Sequence, residues 1–156
     1  MPDFVPYQSE LEIAEVVRKF ESCEYRRDEF PHFRHLAVAS WYLTQMPFPS
    51  SLERMREKLL AFTRHHGVNA YHETITQFWL RLVFDFLKHA PANTSLPERV
   101  NIMVQQFGRK DVLFDYYSHD RVTSDEARRG WIDPDLRFLP GPEPENSTVS
   151  DLRADS

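Results

Sequence analysis

A core helix is indicated by the segment FPHFRHLAVASWYL, residues 30–43. Its aliphatic residues recur at the spacing of one helix face: Leu36, Ala39 and Leu43. His32 lies in line with this apolar stripe, and His35 lies at its edge, where a core helix usually carries aliphatic residues. The segment therefore predicts a helix, starting near Pro31, whose first turn directs two imidazole rings toward the interior.

Four more helices are predicted around this segment. Ser-x-x-Glu sequences, in which the two side chains satisfy free backbone groups, begin helices at Ser9, Ser50 and Ser95. Glycines are expected to end two of them, at Gly67 and Gly108. A further helix is expected from about residue 69 to residue 89. These signals predict an antiparallel bundle of about five helices.

The remainder of the chain has weaker patterns. Residues 109–137 are expected to form short turns and one small helix starting at Ser124. Residues 140–156 are polar and proline-rich, which is typical of a disordered tail. No segment has the two-residue alternation of a strand. We therefore predict an all-α, single-domain bundle over residues 1–139, ending in an irregular C-terminal segment, and a disordered polar tail over 140–156.

Composition excludes several classes of protein. Hydrophobic residues form 41% and charged residues 28% of the 156 positions, as in globular domains. The longest apolar run is interrupted by Arg81 and Asp85, so we expect no membrane span. A net charge of −5 disfavours general binding of nucleic acid. The single cysteine, Cys23, excludes an internal disulfide, and with no visible signal peptide it favours a cytoplasmic location.

Helical projection predicts two faces for the fourth helix. The face expected to contact water carries Thr74, Gln77, Arg81, Asp85 and Lys88. The face expected to be buried carries His72, Trp79, Val83 and Phe86. Thr76 lies one turn after His72 on the same side, and Glu73 lies on the flank.

Connectivity brings the histidines together. Helices joined by short loops pack antiparallel, so the start of the second helix, the end of the third and the start of the fourth share one end of the bundle. His32, His35, His66 and His72 are all expected there, beside the loop of residues 21–30. Burying several imidazole rings without a partner is costly, and the convergence therefore points to a functional site.

A metal site is the leading hypothesis for this convergence. The predicted ligands are His32, His35 and His72, because two imidazoles three residues apart and one from a facing helix can share an ion. Nitrogen ligands suit one transition-metal ion, Fe, Zn or Mn. Such an ion can activate water or bind oxygen, which predicts a hydrolase-like or oxygenase-like enzyme for a small molecule. Glu73 is predicted as a general base or as a group that orients a ligand imidazole. The other predicted site residues are Tyr71 and Tyr117 in the pocket, and Arg121, Trp79 and Thr76 against substrate.

Two alternatives remain open. One is a non-catalytic helical module that binds a ligand or a partner, with histidines that are hydrogen-bonded core residues. The other is a metal-free acid–base enzyme that uses the adjacent pair His72 and Glu73.

Two short motifs resemble those of a group of helical proteins. The sequence contains H-x-x-H-L at residues 32–36 and Y-H-E-T-x-T at residues 71–76. With the later segment YYSHDR, residues 116–121, these motifs resemble a group of small, functionally uncharacterised bacterial helical proteins. The resemblance implies a bacterial origin and a helical fold over most of residues 9–137, and it implies no activity.

Overall fold

The computed structural model describes residues 3–142. Within this range the chain forms helices and no strand, which confirms the all-α prediction. Five long helices make the bundle: α1 (Glu10–Glu21), α2 (His32–Gln45), α3 (Phe48–His65), α4 (Glu73–His89) and α5 (Leu96–Phe107). Three short helices follow: α6 (Leu113–Tyr116), α7 (His119–Val122) and α8 (Asp125–Arg129). Two 3₁₀ helices, Arg27–Glu29 and Lys110–Val112, precede α2 and α6.

Helix α2 is the central element of the bundle. It packs against α1, α3, α4 and α5, and its residues 36–40 are all buried. The predicted stripe of α1 is buried as expected through Ile13, Val16, Val17 and Phe20. Phe20 stacks on Phe30, with ring centroids 4.4 Å apart, and so fixes the loop that leads into α2. This loop places the first turn of α2, with its two histidines, against the other helices.

Several helix ends lie where the sequence predicts them. Ser95 and Glu98 form the reciprocal cap of α5, and Gly108 follows its last residue. Ser124 caps α8 by accepting a hydrogen bond from the Ala127 amide. Gly67, just after α3, has a positive φ of 68°, a conformation that glycine adopts without steric cost.

Two predicted helix starts are wrong. Helix α3 begins at Phe48 rather than after Ser50. Pro47 occupies its N-cap position without a side-chain capping bond, and Pro49 is tolerated in the first helical turn. Helix α4 begins at Glu73 rather than near residue 69, because the imidazole of His72 caps its N-terminus. In both helices the residue at the N-cap position is not a serine.

The water-facing side predicted for α4 is also wrong. Thr74 is 0% exposed and Gln77 is 9% exposed, whereas Lys88 at the end of the helix is exposed. The C-terminal segment covers this side: Phe78 and Leu82 of α4 pack against residues from 112 to 122. The Thr74 hydroxyl donates to the Gly130 carbonyl at 2.6 Å and so holds the segment in place. Helix α4 is therefore buried on two sides.

The structure describes the first three residues of the predicted tail. Of the predicted tail, residues 140–142 are half-buried and residues 143–156 lie outside the described residues. Among residues 3–142, no helix combines the length and the apolar character needed to cross a bilayer.

Candidate functional site

A cavity of about 530 Å³ lies at the histidine end of the bundle. Its walls come from the start of α2, the second half of α3, the first half of α4 and the segment 110–114. Most of the wall is apolar and includes Phe30, Met55, Leu59, Phe62, Trp79 and Leu80. The volume falls within the range typical of small-molecule sites. His32, His35 and His72 all line this cavity.

His32 is held at the base of α2 by one hydrogen bond. Its Nε2 lies 3.1 Å from the carbonyl oxygen of Phe107, and its ring meets Trp79 edge-on at a centroid distance of 4.2 Å. A carbonyl oxygen only accepts, so Nε2 carries the proton and Nδ1 keeps its lone pair. Desolvation lowers the pKa of His32 to about 4, despite the hydrogen bond to Phe107. The ring is therefore neutral at physiological pH.

The imidazole ring of His35 has no hydrogen-bond partner among residues 3–142. Its ring packs on Phe30 with a centroid distance of 4.2 Å, and it lines the cavity. Burial, together with smaller contributions from His32 and the Lys110 charge, lowers the pKa of His35 to about 3. Both ring nitrogens are therefore available to a molecule inside the cavity.

His72 uses both ring nitrogens to hold the fold together. Nδ1 accepts a hydrogen bond from the Ile75 amide at 3.1 Å, which caps α4. Nε2 donates to the carbonyl of Val122 at 2.7 Å and joins α4 to α7. Burial lowers the pKa of His72, and the neutral ring is the form that can accept the capping bond. Coordination of a metal by His72 requires the loss of one of these bonds.

The three histidines predicted as metal ligands line one cavity, but they differ in whether a ring nitrogen is free to bind an ion. His32 and His35 have free lone pairs toward the cavity, and His72 has none. Within residues 3–142, no three His, Cys, Asp or Glu side chains are grouped so that they could hold a metal ion. His66 lies apart from the cavity lining, with Nε2 3.0 Å from the carbonyl oxygen of Tyr25. The metal hypothesis stays a prediction.

Glu73 forms an ion pair with Arg56. Its two carboxylate oxygens accept hydrogen bonds from Arg56 at 2.9 and 2.6 Å, and further bonds from Tyr71 and Gln77. Burial alone would raise the pKa of Glu73, but these hydrogen bonds outweigh it and lower the pKa to about 2. Glu73 does not line the cavity, whereas Tyr71 does. The network joins the start of α4 to α3 and orients Tyr71.

The remaining predicted site residues divide into two pairs. Thr76 and Trp79 line the cavity beside the histidines. Tyr117 is 0% exposed in the second apolar cluster, and its hydroxyl donates to the Ile132 carbonyl at 2.7 Å. Arg121 is exposed and donates to the Asp133 carbonyl at 2.6 Å. The last pair orders the C-terminal segment and does not reach the cavity.

Two charged residues of the cavity lining were missed by sequence reasoning. Arg27 and Lys110 line the cavity from the two 3₁₀ helices, which have no apolar periodicity that could signal their direction. Both are exposed, as are the lining residues Ala70 and Phe114, so we place the cavity mouth beside these four residues.

Comparisons with family models, with curated proteins and with solved structures found no match to this chain. The resemblance to the bacterial group with H-x-x-H-L and Y-H-E-T-x-T motifs therefore stays a prediction.

Proposed function

We propose that the protein is a ligand-binding module whose cavity holds a small, largely apolar molecule. The observation that carries this proposal is the pair His32 and His35 in an apolar wall, where Nδ1 of His32 and both ring nitrogens of His35 have no hydrogen-bond partner among residues 3–142. These nitrogens are not fully buried, since the fully buried side-chain atoms without a partner in the described residues are Tyr7 Oη and Arg81 Nε, and they are therefore open to hydrogen bonds from a molecule in the cavity. A bound molecule with one polar group would supply these bonds and fill the space.

The chemistry of the two rings defines how such a molecule is held. His32 offers a lone pair at Nδ1, and His35 offers one donor and one acceptor. Both rings are neutral, with pKa values of about 4 and about 3. They therefore act as hydrogen-bonding groups and carry no charge at neutral pH.

The test uses a neutral, solvent-sensitive fluorescent dye and a variant that fills the cavity. Leu59→Trp adds volume to the wall, whereas Leu60→Trp makes the same change at an exposed neighbour outside it. We expect saturable binding to the wild type and to Leu60→Trp, and at least tenfold weaker binding to Leu59→Trp. An absence of saturable binding, or equal binding to both variants, would exclude the cavity as the site.

A second candidate is a metal-dependent enzyme that acts on a small molecule in the same cavity. The observation that favours it is the spacing of His32 and His35, three residues apart on one helix, with free lone pairs at the cavity wall. Their low pKa values keep one nitrogen of each ring unprotonated and available to Fe, Zn or Mn. Two protein ligands would leave several coordination positions for water and substrate.

Elemental analysis tests this candidate. The protein is purified without a chelator or a polyhistidine tag, alongside His35→Ala and the exposed control His89→Ala. The metal candidate requires about one ion per chain in the wild type and in His89→Ala, with loss of the ion in His35→Ala. A metal content near zero in the wild type, after supply of each metal, excludes it.

A further inference from the structure

Among residues 3–142, the charged side chains that line the cavity are cations. The chain contains 24 Asp and Glu residues and has a net charge of −5, yet no carboxylate of the described residues lines the cavity. The formal charges in this lining are those of Arg27 and Lys110. Neither forms an ion pair within the described part of the chain. The local charge is thus opposite to that of the whole protein.

These cations lie at the mouth, and one of them is close to the imidazole pair. Lys110 is near enough to His32 and His35 for its charge to lower the pKa of both rings. Arg27 lines the same cavity from the 3₁₀ helix that leads to Phe30. An anion at the mouth would be attracted by an ammonium group and a guanidinium group, and the imidazole of His35 lies in the lining of the same cavity. Charge-assisted bonds of this kind are stronger than neutral ones.

We propose that the ligand is an apolar carboxylate, with its hydrocarbon body in the cavity and its single negative charge between Lys110 and Arg27. This inference rests on the proposed ligand-binding function. The apolar wall of α3 and α4 excludes water from the body of the molecule, which contributes affinity in proportion to the area buried. The two cations select the charge of the head group, and they disfavour a cationic molecule of the same shape.

The experiment compares three ligands with the same hydrocarbon chain: decanoate, decanol and decyltrimethylammonium. Each competes with the neutral dye on the wild type, Arg27→Gln, Lys110→Gln and the double variant. Arg109→Gln is the matched control, because Arg109 is exposed, adjacent in sequence and absent from the cavity lining. We expect wild type to bind decanoate about tenfold more tightly than decanol, and decyltrimethylammonium more weakly than either.

The binding preference of the variants locates the carboxylate head group. Lys110→Gln and Arg27→Gln should each reduce the preference for decanoate severalfold, and the double variant should lose it, while decanol binding stays unchanged. Arg109→Gln should keep the full preference. Equal binding of decanoate and decanol to the wild type, or a full preference in the double variant, would overturn the carboxylate inference and leave the binding function intact. Failure of all three ligands and of the dye would overturn the proposed function itself.

Discussion

Acidification from pH 7.5 to pH 5.0 should destabilise the folded protein through its two cavity histidines. The pKa of His32 is about 4 and that of His35 is about 3 in the folded protein, against 6.5 for an ordinary imidazole. Between these values the unfolded chain binds protons that the folded chain does not bind. Stability from this source is therefore complete above pH 6.5 and is lost as the pH falls below it.

The magnitude follows from the width of this window. Each pH unit below 6.5 costs about 1.4 kcal/mol per histidine, so each ring costs about 2 kcal/mol at pH 5.0. The two rings together should lower the free energy of unfolding by about 4 kcal/mol, a large part of the stability of a domain this size. Buried carboxylates such as Glu73 do not interfere, because they lose stability only below the ordinary carboxyl pKa of 4.5.

Urea unfolding at a series of pH values measures this effect. His35→Phe is the informative variant, because it keeps an aromatic ring against Phe30 and removes one titrating group. It should reduce the pH dependence between 7.5 and 5.0 by about 2 kcal/mol, and the lowered pKa of His72 adds to the dependence in both proteins without changing this difference. His89→Gln, at an exposed ring at the end of α4 outside the cavity, is the control for replacement of a histidine. A change of less than about 1 kcal/mol in the wild type, or an undiminished dependence in His35→Phe, would contradict the lowered pKa values of the two cavity histidines.

Three further predictions concern side chains that hold the fold. His72→Leu should lower the free energy of unfolding by about 2 kcal/mol through loss of the α4 cap, and His72→Asn, which retains an acceptor, should cost less. Glu73→Gln should cost about 2 kcal/mol, because Arg56 loses its carboxylate partner, and it should leave dye binding in the cavity intact. Thr74→Val should cost about 1 kcal/mol and should make residues 130–132 more accessible to limited proteolysis, since two hydrogen bonds to this segment are lost.

Each of these three predictions has a result that would contradict it. A His72→Leu protein as stable as the wild type would show that the imidazole does not act as a cap. Loss of dye binding in a folded Glu73→Gln protein would show that the carboxylate contacts the ligand. An unchanged proteolysis pattern in Thr74→Val would show that the hydroxyl does not anchor the C-terminal segment.

The sequence alone predicted the five long helices and the end of the bundle at which the cavity histidines meet. Helix ends such as Ser95 and Gly108 depend on interactions within about four residues, which the local sequence contains. The inward direction of His32 and His35 follows from helical periodicity in one continuous segment. The antiparallel order of α2, α3 and α4 follows from short loops. These features are determined locally, so one sequence was sufficient to predict them.

Only the tertiary structure decided which groups remain free at the site. The C-terminal segment covers the side of α4 that was predicted to contact water, and it supplies the carbonyl of Val122 that occupies His72. Glu73 is paired with Arg56, seventeen residues earlier on α3. The cations at the mouth come from short 3₁₀ helices without apolar periodicity. These contacts join residues distant in sequence, and packing of the helices, rather than any local pattern, determines the partner of each side chain.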